Sequence, residues 1–170
     1  MAPAEAAYLY ALATLSITFT GFSALITVLR QTSGGPLSRY DAFLMINYFL
    51  TGFAIAVLCL LPPLLSRCAI NDAVIWRIPS AIALVIGVGM EVAASVRGRA
   101  APDGLRSRSL VTVLMVSYWP AFLLLLLVAC SVGIRPGFSP FAAALTWVFA
   151  VAGIDYVVAL SVLFKAQLPK

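Results

Sequence analysis

The sequence predicts an all-α integral membrane protein, a single domain over residues 1–170 built as a bundle of five transmembrane helices. Two features of the composition and one of the pattern predict this class. Hydrophobic residues make up 63% of the chain and charged residues only 10%, whereas soluble domains average about 45–50% and about 25%. The mean hydropathy is +1.07. A chain of this hydropathy has more apolar surface than a soluble fold of this size is able to bury. Apolar stretches of the roughly 20 residues that cross a bilayer as a helix recur five times.

Each predicted span is an apolar run, and the breaks between the runs carry the Gly, Pro, Ser and charged residues that are typical of loops. The five spans cover about residues 6–29, 40–66, 73–96, 110–132 and 141–164. A four-span alternative is open at the second break, because Pro62 and Pro79 bracket it and Arg77 lies inside the apolar pattern. In that alternative, residues 62–79 form a re-entrant or interfacial segment. Residues 75–96 alone are long enough to cross, which favours five spans.

The fourth predicted span contains a helix-disrupting residue near mid-depth. Pro120 lacks a backbone N–H and therefore predicts a kink in the helix. Beyond it, residues 122–128 are bulky and apolar without interruption. We expect this stretch to face lipid.

The distribution of Lys and Arg predicts the orientation of the bundle. With five spans, eight of the 11 basic residues fall on one side of the membrane and three on the other. The larger group comprises Arg30, Arg39, Arg97, Arg99, Arg106, Arg108, Lys165 and Lys170, and the smaller group Arg67, Arg77 and Arg135. By the positive-inside rule the N-terminus lies outside and the C-terminus inside. The high content of Ala and Arg favours a bacterial inner (plasma) membrane.

The residues that many catalytic and cofactor sites need are missing from the sequence. It contains no His, which excludes His-ligated zinc or haem, a Ser-His-Asp triad and a His proton relay. It contains no G-x-S-x-G and no Walker A motif. Neither Lys lies inside a span, which excludes a retinal protein. We therefore expect no enzyme, cofactor or metal site, and with no soluble basic domain we expect no nucleic-acid partner.

Two acidic residues lie at membrane depth, where a charged side chain is costly and normally faces protein or a cavity. At 1.5 Å per residue, Asp155 lies roughly 15 Å from Lys165, and Glu91 lies roughly 9 Å from Arg97. Each acid belongs to a stripe of small residues, which in membranes marks close contact between helices. The stripes are Ser80, Ala83, Gly87, Glu91, Ala94 and Gly98 in the third span, and Ala144, Ala152, Asp155, Ala159 and Ala166 in the fifth. Both acids are therefore predicted to point at protein.

Two further polar groups share the depth of these acids. Asn47 lies in the second span and Tyr118 in the fourth, so four different spans each supply one group in or near the same half of the membrane. We expect Asn47, Glu91, Tyr118 and Asp155 to form one intramembrane polar cluster. Two interpretations stay open: a hydrogen-bonded network that fixes helix packing, or a working site for a proton relay, ion coordination or substrate contact.

The first span is unusually rich in hydroxyl groups. Ser16, Thr20, Ser23 and Thr27 follow spacings of 4, 3 and 4 residues and fill an arc of about 60° on a helical wheel. Arg30 lies just beside this arc at the predicted cytoplasmic mouth. One interpretation is a helix that lines a pore or path, with Arg30 setting the charge preference. The other is helix packing, since Ser and Thr are common at membrane helix contacts and bond their own backbone carbonyls.

Two functional hypotheses follow from these patterns. The first is an oligomeric ion channel or small-solute transporter, in which the first helix lines the path and the deep acids gate it or couple protons. A bundle of five helices encloses little space, so a conducting protein of this size is expected to be a homo-oligomer. The alternative is a non-transporting membrane subunit or scaffold that binds partner proteins through its small-residue helix faces. Besides the lipid bilayer, a small ion or solute is the expected partner of the first hypothesis.

Overall fold

The computed structural model describes residues 1–32, 39–68, 70–100 and 108–165. The helices are α1 (Pro3–Thr32), α2 (Arg39–Leu65), a short 3-10 turn (Ser66–Cys68), α3 (Asp72–Ala100), α4 (Arg108–Cys130) and α5 (Phe138–Lys165). No strand occurs in the described part of the chain. The predicted all-α class is confirmed, and each predicted span coincides with one helix.

Four of the helices are long and apolar enough to cross a membrane. Their apolar stretches are Pro3–Leu29, Met45–Cys68, Asp72–Val96 and Phe138–Ser161. α4 is 23 residues long, and its described apolar stretch is the shorter Met115–Cys130. The molecule is therefore a helical, multi-pass membrane protein.

The described residues between 62 and 79 include the end of α2, the short 3-10 turn and the start of α3. α2 continues through Pro62 and Pro63, and α3 includes Pro79. Arg77, the charged residue within the third apolar stretch, donates a hydrogen bond from Nε to the carbonyl oxygen of Ala129 at 2.9 Å. Because the last carbonyls of a helix have no partner within it, Arg77 satisfies one of them at the end of α4.

α4 ends at this point because the backbone reverses. Ser131 has a φ of 56°, and the amide of Val132 donates to the carbonyl of Leu127 at 3.1 Å. This is the hydrogen bond of a Schellman-type helix end, in which a left-handed residue terminates the helix. The predicted fourth span, drawn to residue 132, therefore ends two residues beyond the end of the helix.

Helices pack most closely where a glycine replaces a side chain. A Cβ atom at Gly52 in α2 would overlap Thr20 Oγ1 and lie 2.9 Å from the backbone oxygen of Ser16. A Cβ atom at Gly87 in α3 would lie 2.5 Å from the ring of Phe122 in α4. These two glycines set the approach of α1 to α2 and of α3 to α4.

The buried residues divide the bundle into two unequal halves. The half that contains Tyr8, called here the Tyr8 half, has a large hydrophobic core drawn from all five helices: Leu9, Leu12, Ala13, Ile55, Ala56, Leu58, Cys59, Ile75, Trp76, Ala83, Ala121, Phe122, Leu125, Val128, Phe141, Ala144 and Leu145. The opposite half, called the Thr27 half, has a smaller cluster of Met45, Tyr48, Tyr156 and Ala159. The candidate polar residues described below lie in or next to this second half.

The expectation that residues 122–128 face lipid is wrong for one side of α4. Leu123 and Leu126 are exposed, but Phe122, Leu125 and Val128 are at most 5% exposed and belong to the large core. An uninterrupted apolar run has no polar face to mark its orientation, so the sequence pattern could not separate the lipid-facing side from the core-facing side.

Candidate intramembrane site

A hydrogen bond between two helices fixes the position of Asp155. The hydroxyl of Tyr48 in α2 donates to Asp155 Oδ2 in α5 at 2.7 Å. Tyr48 is almost fully buried, with 2% of its surface exposed, and Asp155 is half-buried. A carboxylate oxygen that accepts a short hydrogen bond inside the bundle is held in one orientation, so this contact defines the centre of the site.

The second membrane-embedded acid lies near the first. Glu91 in α3 is half-buried, and its carboxyl group interacts electrostatically with that of Asp155. The small-residue stripes explain this approach, because Ser80 and Ala83 on α3 and Ala152 and Ala159 on α5 are all buried. The described members of both stripes are buried or half-buried, and Gly98 and Ala166 lie outside the residues whose burial the structure describes.

The register of α3 against α4 places Tyr118 opposite Glu91. Gly87 meets Phe122, and Ser95 donates to the sulfur of Met115 at 3.5 Å. Glu91 lies midway between Gly87 and Ser95 on one helix, and Tyr118 lies between Met115 and Phe122 on the other. The ring of Tyr118 also stacks on that of Phe122, with centroids 6.2 Å apart.

Asn47, the fourth predicted member of the cluster, is adjacent to Tyr48 in α2 but points about 100° away from it around the helix. Its side chain is half-buried, and its backbone oxygen accepts a hydrogen bond from Thr51 at 2.8 Å. The structure therefore brings Asp155, Glu91 and the face of α4 that carries Tyr118 towards one another. The α2 residue that contacts Asp155 is Tyr48, whereas the sequence pattern predicted Asn47.

The sequence pattern missed Tyr48 because it favoured the neighbouring amide of Asn47, which is the more polar of the two side chains. The available signal was spacing: Tyr48, Gly52, Ile55 and Cys59 recur every three to four residues and are all buried, so they form the inward face of α2. Asn47 and Thr51 lie beside this face.

Aromatic rings surround the acid on the α1 side. Tyr156 packs edge-on against Tyr48, with ring centroids 5.3 Å apart, and against Phe19, with centroids 5.2 Å apart. Phe149 makes a similar contact with Phe19 at 5.7 Å. The hydroxyl of Tyr156 is buried and has no hydrogen-bond partner among the described residues. Asp155 thus adjoins a cluster of aromatic rings formed by Tyr48, Tyr156, Phe19 and Phe149. The buried hydroxyl without a partner among the described residues belongs to Tyr156 of this cluster.

The hydroxyl arc of α1 is turned into the protein. Ser16, Thr20 and Ser23 are at most 6% exposed, and Thr27 is half-buried. Thr20, Ser23 and Thr27 each donate to a backbone carbonyl of α1 at 2.8 Å. The Ser16 hydroxyl is fully buried and has no hydrogen-bond partner in the described part of the chain.

Within a single chain, the hydroxyl arc of α1 packs against α2 at Gly52. Thr20 Oγ1 and the backbone of Ser16 fill the space above this glycine of α2. Arg30, predicted at the mouth of the arc, lies near the end of α1, and its side chain is outside the described part of the structure. The arc therefore begins at mid-depth at Ser16 and runs through the Thr27 half along the α1–α2 seam.

Together these residues define a multi-pass helical membrane protein with two carboxyl groups from different helices inside its bundle. Comparisons with protein-family models, with curated protein sequences and with solved structures find no match to this chain. Among the described residues, no three His, Cys, Asp or Glu side chains come together as a metal-binding group. Chemically, the paired carboxyl groups are able to accept protons or to attract a cation.

Proposed function

We propose that this protein is a small ion transporter or channel, and that the Glu91–Asp155 pair is its ion-binding site. The observation that supports this proposal is the hydrogen bond that holds Asp155 Oδ2 against the Tyr48 hydroxyl inside the bundle, with the Glu91 carboxyl group of α3 within electrostatic range of it. The proposed protein crosses the membrane five times with its N-terminus outside. We place it in a bacterial inner membrane, where it functions as a homo-oligomer.

The hydrogen bond from Tyr48 to Asp155 joins α2 to α5 without Glu91, and we propose a separate role for the second carboxyl group. Like charges repel more strongly in the low dielectric of a protein interior than in water, so placing Glu91 near Asp155 weakens packing unless something neutral or positive intervenes. A proton shared by the pair, or a bound cation, removes that repulsion. The arrangement therefore favours a site that takes up positive charge.

In this proposal only part of the hydroxyl arc of α1 lines the path, whereas the sequence pattern suggested that the whole arc does. Within one chain Ser16 and Thr20 are buried against Gly52, and a wide aqueous path along them requires α1 and α2 to separate. We propose that the first helix lines the approach to the carboxyl pair on its Ser23 and Thr27 side. Ion selectivity then depends on the pair itself.

Proteoliposomes containing the purified protein test this proposal. Wild-type protein is expected to pass protons or alkali cations faster than empty liposomes. Asp155→Asn keeps an acceptor for the Tyr48 hydroxyl but removes the charge, so it should assemble normally and lower flux at least about tenfold, a barrier change of about 1.4 kcal/mol. Asp72→Asn is the matched control, because Asp72 is exposed at the start of α3. Equal flux in Asp155→Asn and wild type would contradict the proposal.

The alternative function, a non-transporting subunit or scaffold, has its own support on the outer face of α1. Ala7, Ala11, Thr14, Thr18 and Gly21 recur at spacings of four and three residues, and all are exposed. Such a face allows another helix to approach closely. A scaffold is expected to be inert in liposomes and to require a partner for stability. A wild-type protein that is monodisperse alone and conducts ions would exclude this alternative.

A further inference from the structure

We infer that two copies of this protein pair through the outer face of α4, and that the indole N–H of Trp119 in each copy donates a hydrogen bond to the backbone carbonyl of Val116 in the other. The inference gives an interface to the homo-oligomer of the proposed function, and it rests on that proposal only for the existence of the oligomer. The outer face of α4 comprises the exposed residues on one side of the helix: Val113, Val116, Trp119, Pro120, Leu123, Leu126 and Cys130.

Trp119 lies halfway across the bundle. It is the central residue of the 23-residue α4. The neighbouring helix supports this depth, because the carbonyl of Ser117 in α4 accepts a hydrogen bond from Trp147, and Trp147 is the tenth residue of the 24-residue apolar stretch of α5. Tryptophan is normally enriched at the two membrane–water interfaces, where its N–H meets water. A tryptophan at mid-depth needs an acceptor from protein instead.

The two mid-depth indoles differ in how their N–H groups are satisfied. Trp147 Nε1 donates to the carbonyl oxygen of Ser117 at 2.7 Å. The ring of Trp119 packs edge-on against Phe122, with centroids 6.4 Å apart, but its N–H has no hydrogen-bond partner among the described residues. Trp119 is 63% exposed, so at this depth its surface meets either hydrocarbon or another protein. A donor without an acceptor in hydrocarbon costs free energy, and a carbonyl of a second helix removes that cost.

Pro120 provides an acceptor on the same face. Proline has no backbone N–H, so the carbonyl oxygen of Val116, four residues earlier, loses the donor that a regular α-helix gives it. Val116 and Pro120 are both exposed. In membranes, carbonyls freed in this way are satisfied by neighbouring helices, side chains or ordered waters. The outer face of α4 therefore carries both halves of a hydrogen bond.

A second copy of the chain fits both groups at once. Val116, Leu123 and Cys130, called here the α4 seam, are seven residues apart, which is the spacing of helices that pair along a seam. Trp119 and Pro120 lie on opposite flanks of this seam, about 100° apart around the helix. Two copies inserted in the same direction are related by a twofold axis, so the Trp119 flank of one faces the Pro120 flank of the other. Long side chains lean towards the N-terminus of their helix, which brings the indole level with Val116.

Disulfide cross-linking in membranes tests the seam. Single cysteines are introduced into a Cys68→Ala, Cys130→Ser background and oxidised with copper phenanthroline, and dimers are measured on non-reducing gels. Leu123→Cys and Val116→Cys should cross-link, because a disulfide needs Cα atoms within about 7 Å of each other. Val85→Cys is the matched control: Val85 is 72% exposed on α3 and outside the seam, so it should not cross-link.

A double-mutant cycle tests the hydrogen bond, with the dimer dissociation constant measured by energy transfer between labelled copies in liposomes at increasing lipid dilution. Trp119→Phe removes the N–H and keeps an aromatic ring, and Pro120→Ala gives the Val116 carbonyl a donor of its own helix. Each change should raise the dissociation constant about tenfold, since each dimer contains two such bonds. The double variant should be no weaker than the weaker single one, because both changes remove the same bond. Phe22→Leu, exposed on α1, should match wild type.

The possible outcomes separate this inference from the proposed function, because pairing and ion flux are measured independently. A dimer that cross-links through Leu123→Cys but passes no ions would support the interface and overturn the transport proposal. Ion flux from a protein that stays monomeric at every lipid dilution would overturn the interface and leave transport standing. Cross-linking at Gly21→Cys in place of Leu123→Cys would also overturn it, because the second copy would then lie on α1. Losses that multiply in the double variant would overturn the bond from Trp119 to Val116.

Discussion

Replacing Gly52 by Leu is expected to prevent the bundle from assembling. Gly52 is buried at the closest approach of α1 and α2, where a Cβ atom already overlaps Thr20 and meets the Ser16 backbone. A backbone oxygen does not move aside as a side chain does, so the larger residue forces the helices apart. Even Gly52→Ala should lower the free energy of unfolding by about 1–3 kcal/mol, the range seen for overpacked interiors. Thermal unfolding in detergent, followed by size-exclusion chromatography, measures the loss.

Two other glycines provide matched controls for this prediction. Gly21 in α1 and Gly89 in α3 are exposed, and a Cβ atom at either would meet nothing within 4 Å. Gly21→Ala and Gly89→Ala should therefore leave stability unchanged or raise it by about 0.5–1 kcal/mol, because Ala is the better helix former. If the thermal unfolding midpoint of Gly52→Ala equals the midpoints of these controls, α1 and α2 do not meet as described.

The second large effect is expected for Phe141→Ala, in the core of the Tyr8 half. Phe141 is fully buried, and its ring lies 5.8 Å from that of Trp76. Truncation leaves a cavity among side chains from several helices and should lower the free energy of unfolding by about 3–5 kcal/mol. Because van der Waals contact, not burial from water, drives packing between membrane helices, the lost contacts account for the effect.

Phe53→Ala is the matched control for the cavity. Phe53 is half exposed on the outer side of α2, where lipid replaces the missing ring atoms. Its unfolding midpoint in detergent should stay close to that of wild type. Similar losses in Phe141→Ala and Phe53→Ala would contradict the assignment of Phe141 to a packed core.

The helical class and the helix positions could be predicted because they depend on properties local in the sequence. Apolar length and loop residues place α1 to α5 within a few residues of the structure. The end of α4 could not be predicted as well, since it depends on the left-handed conformation of Ser131. The hydrogen bond from Arg77 to Ala129 also requires knowing that α3 and α4 are neighbours.

The candidate site was only partly predictable for a related reason. Small-residue stripes identify the inward faces of α3 and α5, which carry Glu91 and Asp155, because closely packed helix faces are rich in small residues and so leave a trace in the composition. The residue type of Tyr48 leaves no such trace, since a tyrosine in an apolar span is equally suited to lipid, core or hydrogen bonding, and only its spacing with Gly52, Ile55 and Cys59 marks the inward face. The hydroxyl arc of α1 was recognised as one face, but whether it meets water or Gly52 depends on the partner helix.

The central claim, that Glu91 and Asp155 act as one ion site, is tested most directly by a double-mutant cycle on flux. Glu91→Gln, Asp155→Asn and the double variant are reconstituted at equal density, and their proton and cation rates are compared with wild type. Residues that act as a unit show strongly non-additive losses. The account predicts that each single change slows flux and that the double variant is no slower than the slower single one. Losses that multiply in the double variant, or a single change without effect, would contradict it.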